Sequence, residues 1–346
     1  MKKNYWSNDL CKLLGCTYPV LLAGMGGVSR HKLAIAVAKA GGFATLGMVR
    51  ESPDFISDEV SRFRQSCDKP FAVNLIPRAT DTELLHRQID TCINLQVPVI
   101  SLFWDIDTGL VDYLKKKGLI VIYQVGSENE ANEAIDAGVD VLIVQGIEAG
   151  GHIRGSSSTI TLVKEISSFS RIPVVAAGGI ATGEDFLRML KAGALGVSCG
   201  TAFLATNESN AHNSHKQKII ESNERDTIIT TAFWKNWHKA EPTRVIKPRH
   251  IEEMPDVKKS NTVIAFQDNK PVHLFSTDSP LKGAEGKIEL MPYYAGKSCT
   301  RITGLASAKT RLISMIQEVE AIINESIVEA NVSKLYSSPC YMKDFN

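Results

Sequence analysis

The chain has 346 residues, 44% of them hydrophobic and 22% charged, and its 39 Lys and Arg nearly balance 38 Asp and Glu for a formal charge of +1. That composition describes a soluble globular protein and excludes collagen-like, mucin-like and disordered classes. The even charge argues against nucleic acid or an anionic membrane as the main partner.

The amino terminus interrupts any apolar stretch with Asn8, Asp9 and Lys12, so it does not read as a signal peptide. No run approaches the ~18 apolar residues of a membrane span. Seven cysteines (Cys11, Cys16, Cys67, Cys92, Cys199, Cys299 and Cys340) are scattered and form no CxxC pair, which predicts neither a disulfide framework nor a metal site. The expectation is a reduced cytoplasmic protein. Its oligomeric state is not readable, and a homodimer stays open.

Short apolar, β-branched runs recur at 20–23, 43–46, 71–75, 99–102, 119–123, 141–144, 174–176 and 196–198, with starts about 25 residues apart. Continuous apolar runs suit strands buried on both faces, as in parallel sheets. Helical patterns lie between them. Thr80 with Glu83 and Ser127 with Glu130 read as capping boxes, Thr182 with Asp185 as a weaker cap, and Gly138 as a helix stop. Eight β–α alternations predict an α/β protein built on a closed (β/α)₈ TIM barrel, with a doubly wound open sheet as the alternative.

Beyond Leu204 the chain turns polar and then proline-rich (Pro242, Pro248, Pro255, Pro271, Pro280, Pro292). Residues 206–292 are read as a smaller, mainly helical cap. Residues 1–205 and 293–346 are assigned to the barrel, with a helix at 310–329 returning to pack on it.

Three glycine-rich segments fall just after predicted strands, where a barrel carries its active site. The most specific is QGIEAGGHIRG (145–155), in which glycines around His152 let backbone approach a flat ligand and present an imidazole suited to proton transfer near neutral pH. The second joins Gly178 and Gly179 to Gly200 and Thr201, the loops that recur as a barrel's phosphate site. The third, LAGMGGV (22–28), is a poor dinucleotide fingerprint because Ser29 stands at its third small-residue position, but it is a credible backbone shelf under a flat ring. Asn74, Gln124 and Gln145 fall at strand ends, where amides can meet a polar heterocycle. Trp104-Asp105 follows the fourth strand without a specific signal. His212 and His215 share a helical face and read as solvated rather than metal-binding.

Together these segments resemble the nitronate monooxygenase family (formerly 2-nitropropane dioxygenases) from Pro19 to about Phe203, and more faintly through PYYAGKS (292–298). The His152 loop is also similar to that of flavin-type enoyl-acyl-carrier-protein reductases. The resemblance implies an FMN-dependent barrel that oxidises alkyl nitronates, and nitroalkanes, with O2 to a carbonyl compound and nitrite. The alternative it carries is an NAD(P)H-dependent flavin reductase of enoyl thioesters or quinones. It makes His152 the catalytic base and sets Ala23, Gly24, Met25 and Gly150 against the flavin ring. Asn74, Gln124 and Gln145 fall near the ring's polar edge, and Gly178, Gly179, Gly200 and Thr201 at the phosphate. Ser198-Cys199 and Lys297 depart from the family pattern.

Overall fold

The computed structural model describes residues 6–248 and 261–336, with side chains to residue 326; Pro255 and Cys340 lie outside the described residues. All eight apolar runs form strands: β1 (Val20–Leu22), β2 (Ala44–Gly47), β3 (Phe71–Leu75), β4 (Val99–Phe103), β5 (Ile120–Val125), β6 (Val141–Gln145) and, after the two-residue β7 (Gly151–His152), β8 (Val174–Ala177) and β9 (Gly196–Cys199). Around them lie α1 (Asp9–Leu14), α2 (His31–Lys39), α3 (Pro53–Ser66), α4 (Thr82–Asn94), α5 (Thr108–Lys116), α6 (Glu128–Asp136), α7 (Thr159–Phe169) and α8 (Gly183–Lys191). The parallel strands run in the order β1-β9-β8-β6-β5-β4-β3-β2. A parallel bridge between Leu21 and Phe43 joins the two ends, with Leu22 N donating to Phe43 O and Phe43 N to Val20 O. The sheet is a closed barrel, and the open-sheet alternative falls.

Inward-facing Leu21, Phe43, Ala72, Val99, Ile122, Val141 and Val175 pack on Leu10 and Leu14 of α1. That helix therefore plugs the amino-terminal mouth and leaves the carboxyl-terminal mouth for the site.

The predicted caps fare unevenly. Asp81, not Thr80, caps α4, accepting from Glu83 N and Leu84 N, because the Thr80 hydroxyl turns back to Ile76 O in the preceding 3₁₀ turn. Ser127 caps α6 by accepting from Glu130 N, but the Glu130 carboxylate accepts from Gly126 N and pairs with Arg154, so the box is half made. The weaker expectation, Thr182 with Asp185, forms the full reciprocal box. Gly138 ends α6 with φ +90°.

The mainly helical character expected of 206–292 does not hold. After the single-turn α9 (Thr201–Leu204), the described part of this stretch contains one α-helix, α10 (Asn213–Glu221), and the strands β10 (Thr227–Thr230), β11 (Thr243–Ile246), β12 (Val263–Gln267), β13 (Lys270–His273) and β14 (Glu285–Gly286). Of its β-branched runs, TIIT pairs with TRVI, TRVI also pairs with the distant His152 loop, and VIAFQ folds back on β13 across Asp268-Asn269; helical periodicity registers none of these pairings. β11 pairs with β10 on one side and with β7, in the His152 loop, on the other.

The returning helix α11 (Ala308–Tyr336) packs on α8 and α2. Its Glu318 carboxylate accepts from Gly183 N at 2.6 Å, and Glu320 accepts from Trp6 Nε1 at 2.8 Å. Among the described residues no helix is long and apolar enough to cross a membrane.

Candidate active site

A cavity of about 580 Å³ opens at the carboxyl-terminal mouth, lined by Ala23, Gly24, Met25, Gln124, Gln145, Gly150, His152, Gly178, Gly179, Gly200 and Thr201. Eleven of the twelve residues singled out in the sequence thus meet in one place. Asn74 lies one step behind: a Cβ on Gly24 would overlap its side chain, so it supports the shelf from beneath. Its Nδ2 donates to Ser101 O at 3.0 Å, while the buried Oδ1 has no partner.

The loop carrying His152 is held from several sides. Gln145, expected to face a heterocycle, also clamps the loop: its Nε2 donates to His152 O (3.0 Å) and its Oε1 accepts from Arg154 N (3.3 Å). Glu148 accepts from Thr159 N and Oγ1, at 2.9 and 2.8 Å. Buried Arg244 of β11 donates to Ile147 O through Nε and Nη2 (3.2 and 2.8 Å) and to Thr227 Oγ1 through Nη1 (3.0 Å). Gly150 has no room for a side chain, since a Cβ would stand 2.5 Å from Gly296 N.

The imidazole stacks on Trp237, with ring centroids 3.8 Å apart and 14° between planes. It also meets the edge system of Trp104 at 5.9 Å and lies 6.1 Å from Tyr294. Trp104 adopts φ +73°, rare for an aromatic residue and a mark of a functional region. Arg154, paired with Asp105 and Glu130, lies over the Trp104 ring at 5.0 Å. Trp104-Asp105 is therefore part of the wall behind His152.

His152 Nε2 is buried with no protein partner. Burial, with a smaller contribution from the Arg50 guanidinium, pushes its pKa down to about 3. The ring is neutral through the physiological range.

His212 and His215 do not share a solvated face. His212 caps α10, its Nδ1 accepting from Ser214 N at 3.1 Å, and His215 is fully buried with Nε2 donating to Tyr294 O at 2.9 Å. Burial lowers the His215 pKa to about 4, although the Tyr294 hydrogen bond works against the shift. Among the described residues, no cluster of three or more His, Cys, Asp or Glu is placed to hold a metal.

The His152 and His215 imidazoles titrate well below the ordinary value of ~6.5, so above that pH neither the folded nor the unfolded chain protonates them. Below it the unfolded chain takes up two protons that the fold refuses. Stability is therefore expected to fall as pH drops from about 6.5 to 4, with each histidine adding a slope approaching ~1.4 kcal/mol per pH unit. Urea unfolding across that range should show a shallower slope for His215→Gln, whose amide keeps a donor for Tyr294 O. An unchanged slope would contradict this reading.

At the other end of the cavity Gly178 and Gly179 take φ +111° and +73°. Arg301 secures the turn, donating to Gly179 O at 2.6 Å and to the Asp185 carboxylate at 2.8 Å. Thr201 Oγ1 accepts from Gly296 N at 2.9 Å. Of the departures noted in the sequence, Ser198 and Cys199 line the cavity, whereas Lys297 does not, although its neighbours Gly296 and Ser298 do.

Sequence reasoning missed Trp237, Arg50, Arg244, Arg301 and Tyr294. Arg244 carried a faint signal, a charge within the apolar strand pattern TRVI.

The nitronate monooxygenase family model matches residues 7–318. The chain belongs to that family. A Staphylococcus aureus (strain MRSA252) protein called a "probable nitronate monooxygenase" is 30% identical, covering 91% of this chain and 98% of its own length. FabK from Thermotoga maritima superimposes with a TM-score of 0.80 at 29% identity, over 93% of this chain and 99% of its own. A nitroalkane oxidase from Streptomyces ansochromogenes shares the fold, with a TM-score of 0.74 and 24% identity over 92% of this chain and 99% of its own. As a nitronate monooxygenase family member, the protein is a flavin-dependent oxidoreductase, and His152 with its glycine-rich surroundings lies in the cavity at the carboxyl-terminal mouth of the barrel.

Proposed function

We propose that this family member oxidises alkyl nitronates, and nitroalkanes by way of them, with O2 to a carbonyl compound and nitrite, using FMN. The observation that carries this reading is the buried, neutral and unpartnered Nε2 of His152 on the wall of a cavity whose floor is bare backbone. The residues fit FMN. Backbone of Ala23–Met25 and Gly150 offers flat surface, Gln124 and Gln145 offer amides, and the turns at Gly178–Gly179 and Gly200–Thr201 suit a single phosphate. No second glycine fingerprint suggests the pyrophosphate of a dinucleotide. When bound, the flavin supplies the electron acceptor and the partner for O2.

The protein's part is positioning and proton transfer. An imidazole held so far below its ordinary pKa accepts a proton only if negative charge forms beside it in the same step. Removing the α-proton of a nitroalkane makes that charge, and the imidazolium then pairs with the nitronate. A preformed nitronate needs no base. Arg50, close enough to lower the His152 pKa, adds positive potential for an anionic substrate.

The likeness of the His152 loop to that of flavin-type enoyl-acyl-carrier-protein reductases supports a second reading, reduction by NAD(P)H. Flavin reduction without oxygen, with propyl nitronate and NADPH compared in parallel, separates the two.

A further inference from the structure

Trp237 lies half-buried on the cavity wall, its ring parallel to His152. Its loop is fixed rather than loose. Asn236 Nδ2 donates to Ser276 Oγ (3.0 Å) and Asp278 Oδ2 (2.9 Å), and Arg50 donates to Asn236 O (2.6 Å). The loop also spends strain on this placement, since Asn236 takes φ +73°. Trp237 Nε1–H is buried and has no acceptor, as His152 Nε2 is buried and has no partner.

Buried polar groups without partners are uncommon and costly. Here a donor and, with the imidazole proton on Nδ1, an acceptor are both left unmatched on two stacked rings beside one cavity. A nitroalkane satisfies both: its acidic C–H faces the imidazole lone pair and its nitro oxygens accept a hydrogen bond. The indole also covers one face of the imidazole. Substrate must then reach Nε2 from the ring edge, and bulk on the reacting carbon meets the indole.

Resting on the reaction proposed above, we infer that Trp237 is a substrate-contacting, specificity-determining residue: its N–H holds a nitro oxygen and its ring restricts the reacting carbon to small substituents. Two variants separate these roles. Trp237→Phe keeps a ring against His152 and removes the donor, whereas Trp237→Leu opens space.

In the Phe variant the KM for ethyl nitronate is expected to rise about tenfold, with kcat and its pH profile unchanged. Nitrate, a planar anion with the same O–N–O edge, should bind the holoenzyme about tenfold more weakly by calorimetry. In the Leu variant the kcat/KM for cyclohexyl nitronate relative to ethyl nitronate should rise about tenfold. Were Trp237 only packing for His152, the Phe variant would restore wild-type KM and nitrate affinity. That result would overturn the donor role, and an unchanged substrate ratio in the Leu variant would overturn the size role. If the wild type oxidises no nitronate, the reaction reading falls, and nitrate binding alone still decides whether Trp237 is a donor.

Discussion

His152→Asn is expected to slow oxidation of neutral nitroethane by ~10²–10⁴-fold, the usual contribution of a positioned general base, while leaving preformed ethyl nitronate far less affected. The asymmetry follows from which bond must break. The neutral substrate has to lose a carbon-bound proton, and buried, unpartnered His152 Nε2 can accept it, whereas the nearby indole nitrogens of Trp104 and Trp237 can only donate. The anion has already lost that proton. Asn leaves intact the bonds that hold the loop, because they use the backbone His152 O and Arg154 N rather than the ring. Flavin reduction at saturating substrate is the appropriate readout, because it separates the chemical step from any change in substrate binding. Flavin content needs to be equal in the two proteins. Equal losses on both substrates would show that His152 is not the proton acceptor.

The second large effect concerns the cradle for the cofactor. Gly200 has φ −100° and ψ −73°, a conformation open to any residue, and a Cβ there would have only Ala23 Cβ and Met25 Sδ near it, both at 3.6 Å. A leucine at this position points into the cavity without straining the protein. Overpacking costs ~1–3 kcal/mol, so Gly200→Leu is expected to lose about ten- to hundred-fold in FMN affinity. The apoprotein should melt at the temperature of wild-type apoprotein. Gly179 would be a less clean choice, because its φ of +73° and a Cβ 3.0 Å from Glu148 make any substitution strain the backbone itself. A Gly200→Leu protein that stays fully loaded with FMN would remove the phosphate-end assignment.

The barrel was legible because its signal is local. Each strand is largely buried on both faces, so it appears as a nearly uninterrupted apolar run, and most of the helices between carry their own caps. The cap region was not legible, because β11 becomes a strand through pairing with β10 and with the His152 loop, 91 residues upstream at Thr243 and His152. The same division runs through the site. His152 stands out among glycines that have no other evident use, and Gly178, Gly179 and Gly200 fall where a barrel presents its loops. Trp237 carries no such mark. Its importance comes from a fixed loop that brings it against a ring 85 positions earlier. Gln145 shows a third case, since its position was readable while its bonds to His152 O and Arg154 N were not.

The most direct test of the proposed reaction is the rate of flavin reduction in the intact holoenzyme without oxygen, with propyl nitronate and with NADPH or NADH in separate mixes. The proposal predicts rapid bleaching by the nitronate and reduction by either nicotinamide slower by at least about 100-fold, a difference of ~2.7 kcal/mol in barrier. Rapid bleaching by a nicotinamide, with none by propyl nitronate, would contradict it and assign the cavity to a reductase.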